Sequence, residues 1–259
     1  MTLLAAAVYT VLVWWLSTGV ILYLNGLPRR YHPALMAVAT LLLGLGMAGI
    51  AATADGTEVA DAYLAFSATI ALWGWQELGF LLGYVTGPRR IACPPEARGW
   101  LRLRHALAAI LYHELALLML GACVLALTWQ QPNPVALWTF VVLWVMRTSA
   151  KLNVYLGVRN LSESFLPAHL RYLHSYFRQR PGNALFASSV IASTAAAVAV
   201  WDVAAAPAAT PYQACGAALV ATLLSLAVLE HWFMVLPLPS EWLWRWGLRS
   251  REQGRTPSA

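Results

Sequence analysis

Residues 62–86 read AYLAFSATIALWGWQELGFLLGYVT, an apolar stretch with a single formally charged side chain, Glu77. About 20 consecutive apolar residues are enough for an α-helix to cross the hydrocarbon core of a bilayer. A charged group at that depth costs roughly 2.5–3.5 kcal/mol on insertion scales, so it normally faces a protein interior and pairs there. The stretch therefore predicts a membrane-spanning helix and a buried polar partner for Glu77.

The whole chain has the composition of a membrane protein. It is 60% hydrophobic, only 11% charged and contains 13 tryptophans, whereas soluble domains average about 25% charged residues. Hydropathy predicts spans near residues 3–25, 34–54, 62–86, 105–129, 135–158, 184–204 and 213–236. No soluble-sized segment interrupts them, so we expect an all-α bundle of about seven transmembrane helices, a single integral membrane domain over residues 1–259.

Basic residues occur in alternate links between the predicted spans. All of the 17 lysines and arginines except Arg147 and Lys151 lie in the first, third and fifth links or in the tail, residues 240–259. The positive-inside rule places these segments in the cytoplasm and the N-terminus outside. The net charge of +6 is explained by this topology and by attraction to anionic lipid headgroups. The lipid bilayer is thus an expected partner, and no nucleic acid is needed to account for the charge.

Two short amphipathic helices are predicted on the cytoplasmic side. Over residues 165–178, apolar side chains recur at i, i+4, i+7 and i+11 from Leu166, which is typical of a helix with one apolar face. Such a helix lies on the membrane interface or packs on the other cytoplasmic loops. After Pro239, Ser240 can cap a second short helix whose Trp242 suits the headgroup region.

Polar side chains interrupt several of the apolar spans at a similar depth, near their cytoplasmic ends. The set comprises Glu77, His113, Glu114, Arg147, Lys151, Asn153, Glu230 and His231. Arg147 and Lys151 are one helical turn apart, so they project from the same helix face. We expect them to pair with carboxylates of neighbouring helices, because an unpaired buried charge is strongly destabilising.

The sequence leaves the role of this set open. It is an ion-pair network that fixes helix register, a metal site, a pigment site or a proton relay. The metal-ligand candidates are Glu77, His113, Glu114, Glu230 and His231, and the pigment-ligand candidates are His113 and His231. Adjacent His-Glu pairs splay by about 100° on a helix, unlike the Glu-x-x-His spacing of di-iron bundles. The relay would run along Glu114, His113 and Glu230.

Short motifs along the chain form a recognisable combination. They are WGWQE (73–77), GPRR (87–90), CP (93–94), HE (113–114), RTSAKLN (147–153), FLP (165–167) and LEHWFMVLP (229–237). Together they resemble the photosynthetic complex assembly protein 2 family, the PuhE type of anoxygenic phototrophic bacteria. The resemblance extends over nearly the whole chain, from about residue 14 to residue 240.

The resemblance implies a multi-pass protein of the bacterial inner or intracytoplasmic membrane that assists assembly of reaction-centre and light-harvesting complexes. Its implied partners are subunits of these complexes or other assembly factors, and its implied ligand is bacteriochlorophyll or a precursor. The family has no established catalytic residues to carry over, so a non-enzymatic role is expected. The alternative is a membrane enzyme of pigment metabolism that uses a buried Glu/His metal or chlorin site.

Overall fold

The computed structural model describes residues 2–161, 165–238 and 240–253, and this part of the chain is helical with no named strand. The long helices are α1 (Thr2–Asn25), α2 (His32–Thr53), α3 (Val59–Leu81), α4 (Gly99–Thr128), α5 (Val135–Leu156), α6 (Ala184–Ala205) and α7 (Pro211–Phe233). A short helix, α8 (Arg245–Gln253), follows, and 3₁₀ helices form at Arg29–Tyr31, Ala168–Tyr176 and Ser240–Trp244. The prediction of an all-α polytopic membrane protein is confirmed.

Within the described residues, six of the long helices are each long and apolar enough to cross a membrane, and α3 is not among them. Its second half carries Gln76 and Glu77, which lower its hydropathy. The bundle compensates, because α3 packs against α1, α2, α4, α5 and α7 and buries about half of its side chains. In the part of the chain that the structure describes there are thus seven long helices, of which α3 is more polar than the six apolar ones and is largely enclosed.

Two predicted helix boundaries differ from the structure. The span predicted over 62–86 ends at Leu81, because the carbonyl of Gly79 accepts hydrogen bonds from the backbone N–H groups of Tyr84 and Val85 and the chain reverses there. Past this end of the helix, Leu82 is buried, whereas Tyr84 is 49% exposed. The span predicted to begin at 105 starts at Gly99, since an amphipathic first turn does not register as apolar.

The second, fourth and sixth links meet at one end of the bundle, which carries the acidic loop residues. Asn133 joins them: its side-chain Nδ2 donates to the carbonyl of Thr53 at 2.8 Å, and its backbone N–H donates to that of Ala54 at 3.0 Å. The Tyr212 hydroxyl at the start of α7 donates to the Pro132 carbonyl at 3.5 Å. Consecutive long helices therefore run in opposite directions.

The first, third and fifth links, residues 26–31, 82–98 and 157–183, meet at the other end, which we call the basic end. The third link docks directly on the backbone of α4. The backbone N–H of His113 donates to the Thr86 carbonyl at 2.9 Å, and a Cβ on Gly87 would lie 2.2 Å from a carbonyl oxygen of α4. Only glycine permits that approach, so the GPRR motif is held against the helix.

The apolar core lies along α3 and α7. Its fully buried large side chains include Phe66, Leu72, Leu117, Phe140 and Leu219. Each of these comes from α3, α4, α5 or α7, whereas α1, α2 and α6 contribute mainly at their inner faces. Burial of a large apolar side chain is worth about 1.5–3 kcal/mol in water, and within a bilayer close packing and polar contacts take over much of that role.

The segment predicted as an amphipathic α-helix over 165–178 is a 3₁₀ helix, Ala168–Tyr176. A 3₁₀ helix has three residues per turn, so Leu170, Leu173 and Tyr176 share one face. All three are buried, packed against Phe80 and other side chains of α3 and α4. The segment therefore packs on α3 and α4 through Leu170, Leu173 and Tyr176, and Leu166 precedes the 3₁₀ helix.

The tail contains the short 3₁₀ and α-helical segments expected after Pro239, but they dock on α1. The Trp244 indole N–H donates to the Trp15 carbonyl at 3.0 Å, and the side chain is buried. Trp246 packs over Gly19, where a Cβ would lie 2.0 Å from the indole. Anchoring in the headgroup region is therefore not the main role of these two tryptophans.

Candidate functional site

Arg147 of α5 and Glu77 of α3 form a bidentate ion pair. Arg147 Nε donates to Glu77 Oε1 and Nη2 donates to Oε2, both at 3.1 Å. The glutamate side chain is 13% exposed and the arginine side chain 45%. Fork-to-fork pairs of this kind fix orientation as well as neutralising charge, so the pair locks the relative rotation of α3 and α5.

Lys151, one turn further along α5, pairs with Glu114 of α4. The Lys151 Nζ to Glu114 Oε1 distance is 2.5 Å, and both side chains are 24% exposed. One helix face thus supplies both cations, and carboxylates on two neighbouring helices receive them. Both ion pairs of the site therefore depend on α5.

His113 and Gln76 form a buried link between α4 and α3. Gln76 Nε2 donates to His113 Nδ1 at 2.9 Å and to the His113 carbonyl at 2.8 Å. Because an amide nitrogen can only donate, Nδ1 of the imidazole is the acceptor. The Phe80 ring lies 4.7 Å from the imidazole, measured between ring centroids, and closes that side of the pocket.

His231 of α7 binds to α5 through a hydroxyl group. Its Nδ1 donates to the Ala227 carbonyl at 2.9 Å, and its Nε2 accepts from Ser149 Oγ at 2.9 Å. Asn153 Nδ2 donates to the Ser149 carbonyl at 3.0 Å and reaches Ser189 of α6 at 3.3 Å. These bonds connect α5, α6 and α7 at the depth of the ion pairs.

Glu230 is hydrogen-bonded to α1, and its carboxylate lies within electrostatic range of Arg147. Its Oε1 accepts a hydrogen bond from the Trp14 indole N–H of α1 at 2.7 Å. Within the described residues it forms no ion pair with Arg147 or Lys151. The carboxylate therefore lies in the α1–α7 contact, on the surface of the bundle, while its neighbour His231 points inward.

We call the set formed by Glu77, Glu114, Arg147, Lys151, Gln76, His113, Ser149, Asn153 and His231 the polar centre. Two of its amide oxygens, Gln76 Oε1 and Asn153 Oδ1, are buried and have no hydrogen-bond partner among the described residues. Buried polar atoms are normally paired with protein or water. The polar centre can therefore accept two further hydrogen bonds.

The candidate metal and pigment ligands of the polar centre are engaged with neighbouring side chains. In the part of the chain that the structure describes, no three His, Cys, Asp or Glu side chains are grouped to hold a metal. Both ring nitrogens of His231 are already hydrogen-bonded. His113 is buried between Gln76 and Phe80.

A groove lies beside the polar centre. It has a volume of about 440 Å³ and runs between α4 and α6, with α5 as its floor. Its lining residues are Glu114, Leu118, Trp144, Val145, Thr148, Ser149, Leu152, Leu185 and Ser189. Glu114 and Ser149 belong to the polar centre and also line the groove. The groove is therefore the opening of the polar centre toward the lipid. We call it the α5 groove.

Several residues of the site had no signal in the sequence. Trp14, Ser149 and Ser189 are ordinary membrane-helix residues until the fold brings them to a glutamate, an imidazole and an amide. Arg102, counted among the loop cations, is buried, and its guanidinium lies 4.1 Å over the Tyr155 ring and donates to the Tyr176 carbonyl. Only the three-dimensional arrangement separates it from the exposed arginines.

Comparison with known proteins places the chain among relatives of similar length. It is 41% identical over 252 residues to an uncharacterized 30.4 kDa protein in the puhA 5′ region of Rhodobacter capsulatus, which covers 95% of this chain and 91% of the relative. No solved structure matches the chain. The model of a family described as "Protein of unknown function (DUF3623)" matches residues 1–255. On both grounds, this chain belongs to the DUF3623 family.

Proposed function

We propose that this chain is an integral membrane factor for assembling photosynthetic reaction-centre and light-harvesting complexes. The α5 groove would hold a transmembrane helix of a complex subunit during assembly. The polar centre would keep α3, α4, α5 and α7 in one register so that the groove has a fixed shape. In this role the buried ion pairs position helices and take no part in a reaction.

Two observations support the photosynthetic context. The motifs at the polar centre, WGWQE and RTSAKLN among them, resemble the PuhE type of assembly protein. The relative from Rhodobacter capsulatus is encoded in the puhA 5′ region, and that gene name shares its prefix with PuhE. Both point to the same group of genes.

The α5 groove is the observation that carries the proposal of helix docking. It lies at membrane depth, its walls are helices, and α6 packs mainly on α7 with only light contact to α5. The lining combines apolar surface with the hydroxyls of Thr148, Ser149 and Ser189. Transmembrane helices associate through close packing and such interhelical hydrogen bonds, so the groove suits a partner helix.

The distribution of charged residues supports one orientation of the chain across the membrane. The basic end carries the arginines of the first, third and fifth links, and the acidic loop residues lie at the opposite end. Under the positive-inside rule the basic end faces the cytoplasm. We propose a periplasmic N-terminus and a cytoplasmic C-terminus in the inner or intracytoplasmic membrane.

The proposal is tested by blocking the groove in a phototrophic host. Val145 is 54% exposed and lines the groove, whereas Leu41 of α2 is 64% exposed and lies outside it. Val145→Trp should reduce the near-infrared absorption of assembled complexes with unchanged abundance of the protein, and Leu41→Trp should leave both unchanged. If a strain lacking the gene assembles normal amounts of all complexes, the proposed function is wrong.

A photocrosslinking amino acid at Leu118 identifies what occupies the groove, with the same residue at Leu41 as control. Crosslinks from Leu118 to a reaction-centre or light-harvesting subunit, identified by mass spectrometry, support the helix-docking proposal. If the purified protein instead carries stoichiometric chlorin that Val145→Trp removes, the groove binds pigment and the proposed occupant is wrong. Equal crosslinking from both positions would also contradict specific docking.

A further inference from the structure

A second cavity, distinct from the α5 groove, lies at the basic end. Its volume is about 360 Å³, and three links that are far apart in sequence build it: the first contributes Arg29, the third Thr86 and Arg90, and the fifth His169 and Tyr172. His32, at the start of α2, completes the polar lining. We call it the basic-end pocket.

The described lining of the basic-end pocket is cationic and contains no carboxylate. Arg29 and Arg90 form no ion pair with any carboxylate in residues 2–161, 165–238 and 240–253. Arginine guanidinium groups bind phosphate oxygens through paired, charge-assisted hydrogen bonds. Two such groups facing one cavity create a strong preference for an anion.

Neutral donors lie deeper in the pocket. The Thr86 hydroxyl is fully buried and has no hydrogen-bond partner of normal geometry among the described residues, and the Tyr172 hydroxyl beside it is buried as well. Burial raises the pKa of Tyr172, opposed by the Thr86 side chain and the charge of Arg90. The phenol is therefore protonated at neutral pH and can donate. The Thr86 and Tyr172 hydroxyls adjoin each other and have no other partner among the described residues, and such buried hydroxyls mark positions where a ligand oxygen would be satisfied.

The arrangement combines exposed cations at the rim, hydroxyl donors inside and apolar walls, including Leu82 and Leu170. His32 already donates from Nε2 to the Leu27 carbonyl at 3.0 Å, so its ring is held in place at the edge. Basic pockets between helices on the cytoplasmic side of membrane proteins bind anionic lipid headgroups. A free phosphate compound presents the same oxygens.

We propose that the basic-end pocket is a binding site for a phosphate group, held by Arg29 and Arg90 with the Thr86 and Tyr172 hydroxyls as further donors. The site is separate from the α5 groove and does not depend on the function proposed for it. A bound phosphate would join the first, third and fifth links and so stabilise the basic end. Ligand binding to the folded state raises the unfolding temperature.

The test uses the full chain purified in detergent and measures its unfolding temperature during titration. The probes are a short-chain phosphatidylglycerol, a short-chain phosphatidylcholine and inorganic phosphate. Phosphatidylglycerol should raise the unfolding temperature, and the Arg29→Gln/Arg90→Gln variant should bind it at least about tenfold more weakly, because two charge-assisted contacts are lost. Arg98→Gln/Arg171→Gln removes the same net charge from exposed positions outside the pocket and should bind within about twofold of wild type.

Inorganic phosphate distinguishes the two sources of the ligand. If inorganic phosphate raises the unfolding temperature of the wild type but not of Arg29→Gln/Arg90→Gln, the site accepts free phosphate. If only phosphatidylglycerol shows this difference between the two proteins, the ligand is a lipid headgroup. Thr86→Val provides a check that does not alter charge: it should raise the unfolding temperature without ligand and weaken the response to ligand several-fold. An equal response of wild type, Arg29→Gln/Arg90→Gln and the control variant to every probe would overturn the proposal.

Discussion

The two sides of the bundle stabilise the carboxylates of their helices in different ways. On the side of α3, α4 and α5, Glu77 pairs with Arg147 and Glu114 with Lys151, and both cations belong to α5. On the side of α1, α7 and α8, Glu230 receives one indole N–H from Trp14. The first side is held by charge and the second by the fit of tryptophans against helix backbone.

The difference follows from exposure and from the shape of the neighbouring helices. A carboxylate enclosed by protein needs an opposite charge, because desolvation is otherwise uncompensated. Glu230 lies at the surface of the bundle, where its side chain can extend toward the membrane interface. Beside it, Gly19 leaves space for Trp246, so close packing joins the tail to α1. Substitutions should therefore affect the two sides through different mechanisms.

The largest effect is expected when Arg147 is replaced by methionine. Arg147→Met leaves Glu77 charged and mostly enclosed, which should lower the free energy of unfolding by about 3 kcal/mol. Adding Glu77→Gln should restore much of that loss, since the stranded charge is removed. Unfolding in mixed detergent micelles measures both, and equal stability of the single and double variants would contradict the ion-pair account.

Gly19→Val tests the side that is held by shape. The new Cβ would overlap the Trp246 indole, so α8 should leave α1 at a cost of about 2 kcal/mol. Limited trypsin digestion should then cut after Arg245 and Arg249 much faster, while the membrane helices stay intact. Gly44→Val is the matched control, because nothing lies within 4 Å of that position. Equal cleavage of both variants would refute the docking contact.

Lys151→Met should have a smaller effect than Arg147→Met. Lys151 and Glu114 are both about one-quarter exposed, and Glu114 lines the α5 groove, so lipid headgroups or water can reach the stranded glutamate. We expect a loss of about 1–2 kcal/mol in the free energy of unfolding. A loss larger than that of Arg147→Met would show that Glu114, not Glu77, is the more enclosed carboxylate.

Glu230→Gln should have the smallest effect. The glutamine Oε1 can still accept the hydrogen bond from Trp14, and no cation is stranded. The free energy of unfolding should change by less than about 0.5 kcal/mol. A loss of several kcal/mol, measured in the same micelle assay, would mean that the negative charge of Glu230 is needed and would place it with the polar centre.

The long helices were predictable because a bilayer imposes a length and a composition that a single sequence displays. The docking of the shorter elements was not. Leu166, Leu170, Leu173 and Phe177 follow a period of 3.6, but the structure forms a 3₁₀ helix whose buried face is Leu170, Leu173 and Tyr176. In the tail, Trp242 is 70% exposed, as expected for a residue at the interface, whereas Trp244 and Trp246 dock on Trp15 and Gly19 of α1.

By itself, the sequence determined that the chain enters the membrane, which ends of its helices are basic and which ionisable groups lie at membrane depth, because hydropathy and charge are local properties of each segment. Which cation meets which carboxylate was decided only by the tertiary structure. Rotation of a helix about its own axis depends on all of its neighbours at once. The same packing gave Glu230 the Trp14 indole, opened the α5 groove and brought Arg29 and Arg90 into one pocket.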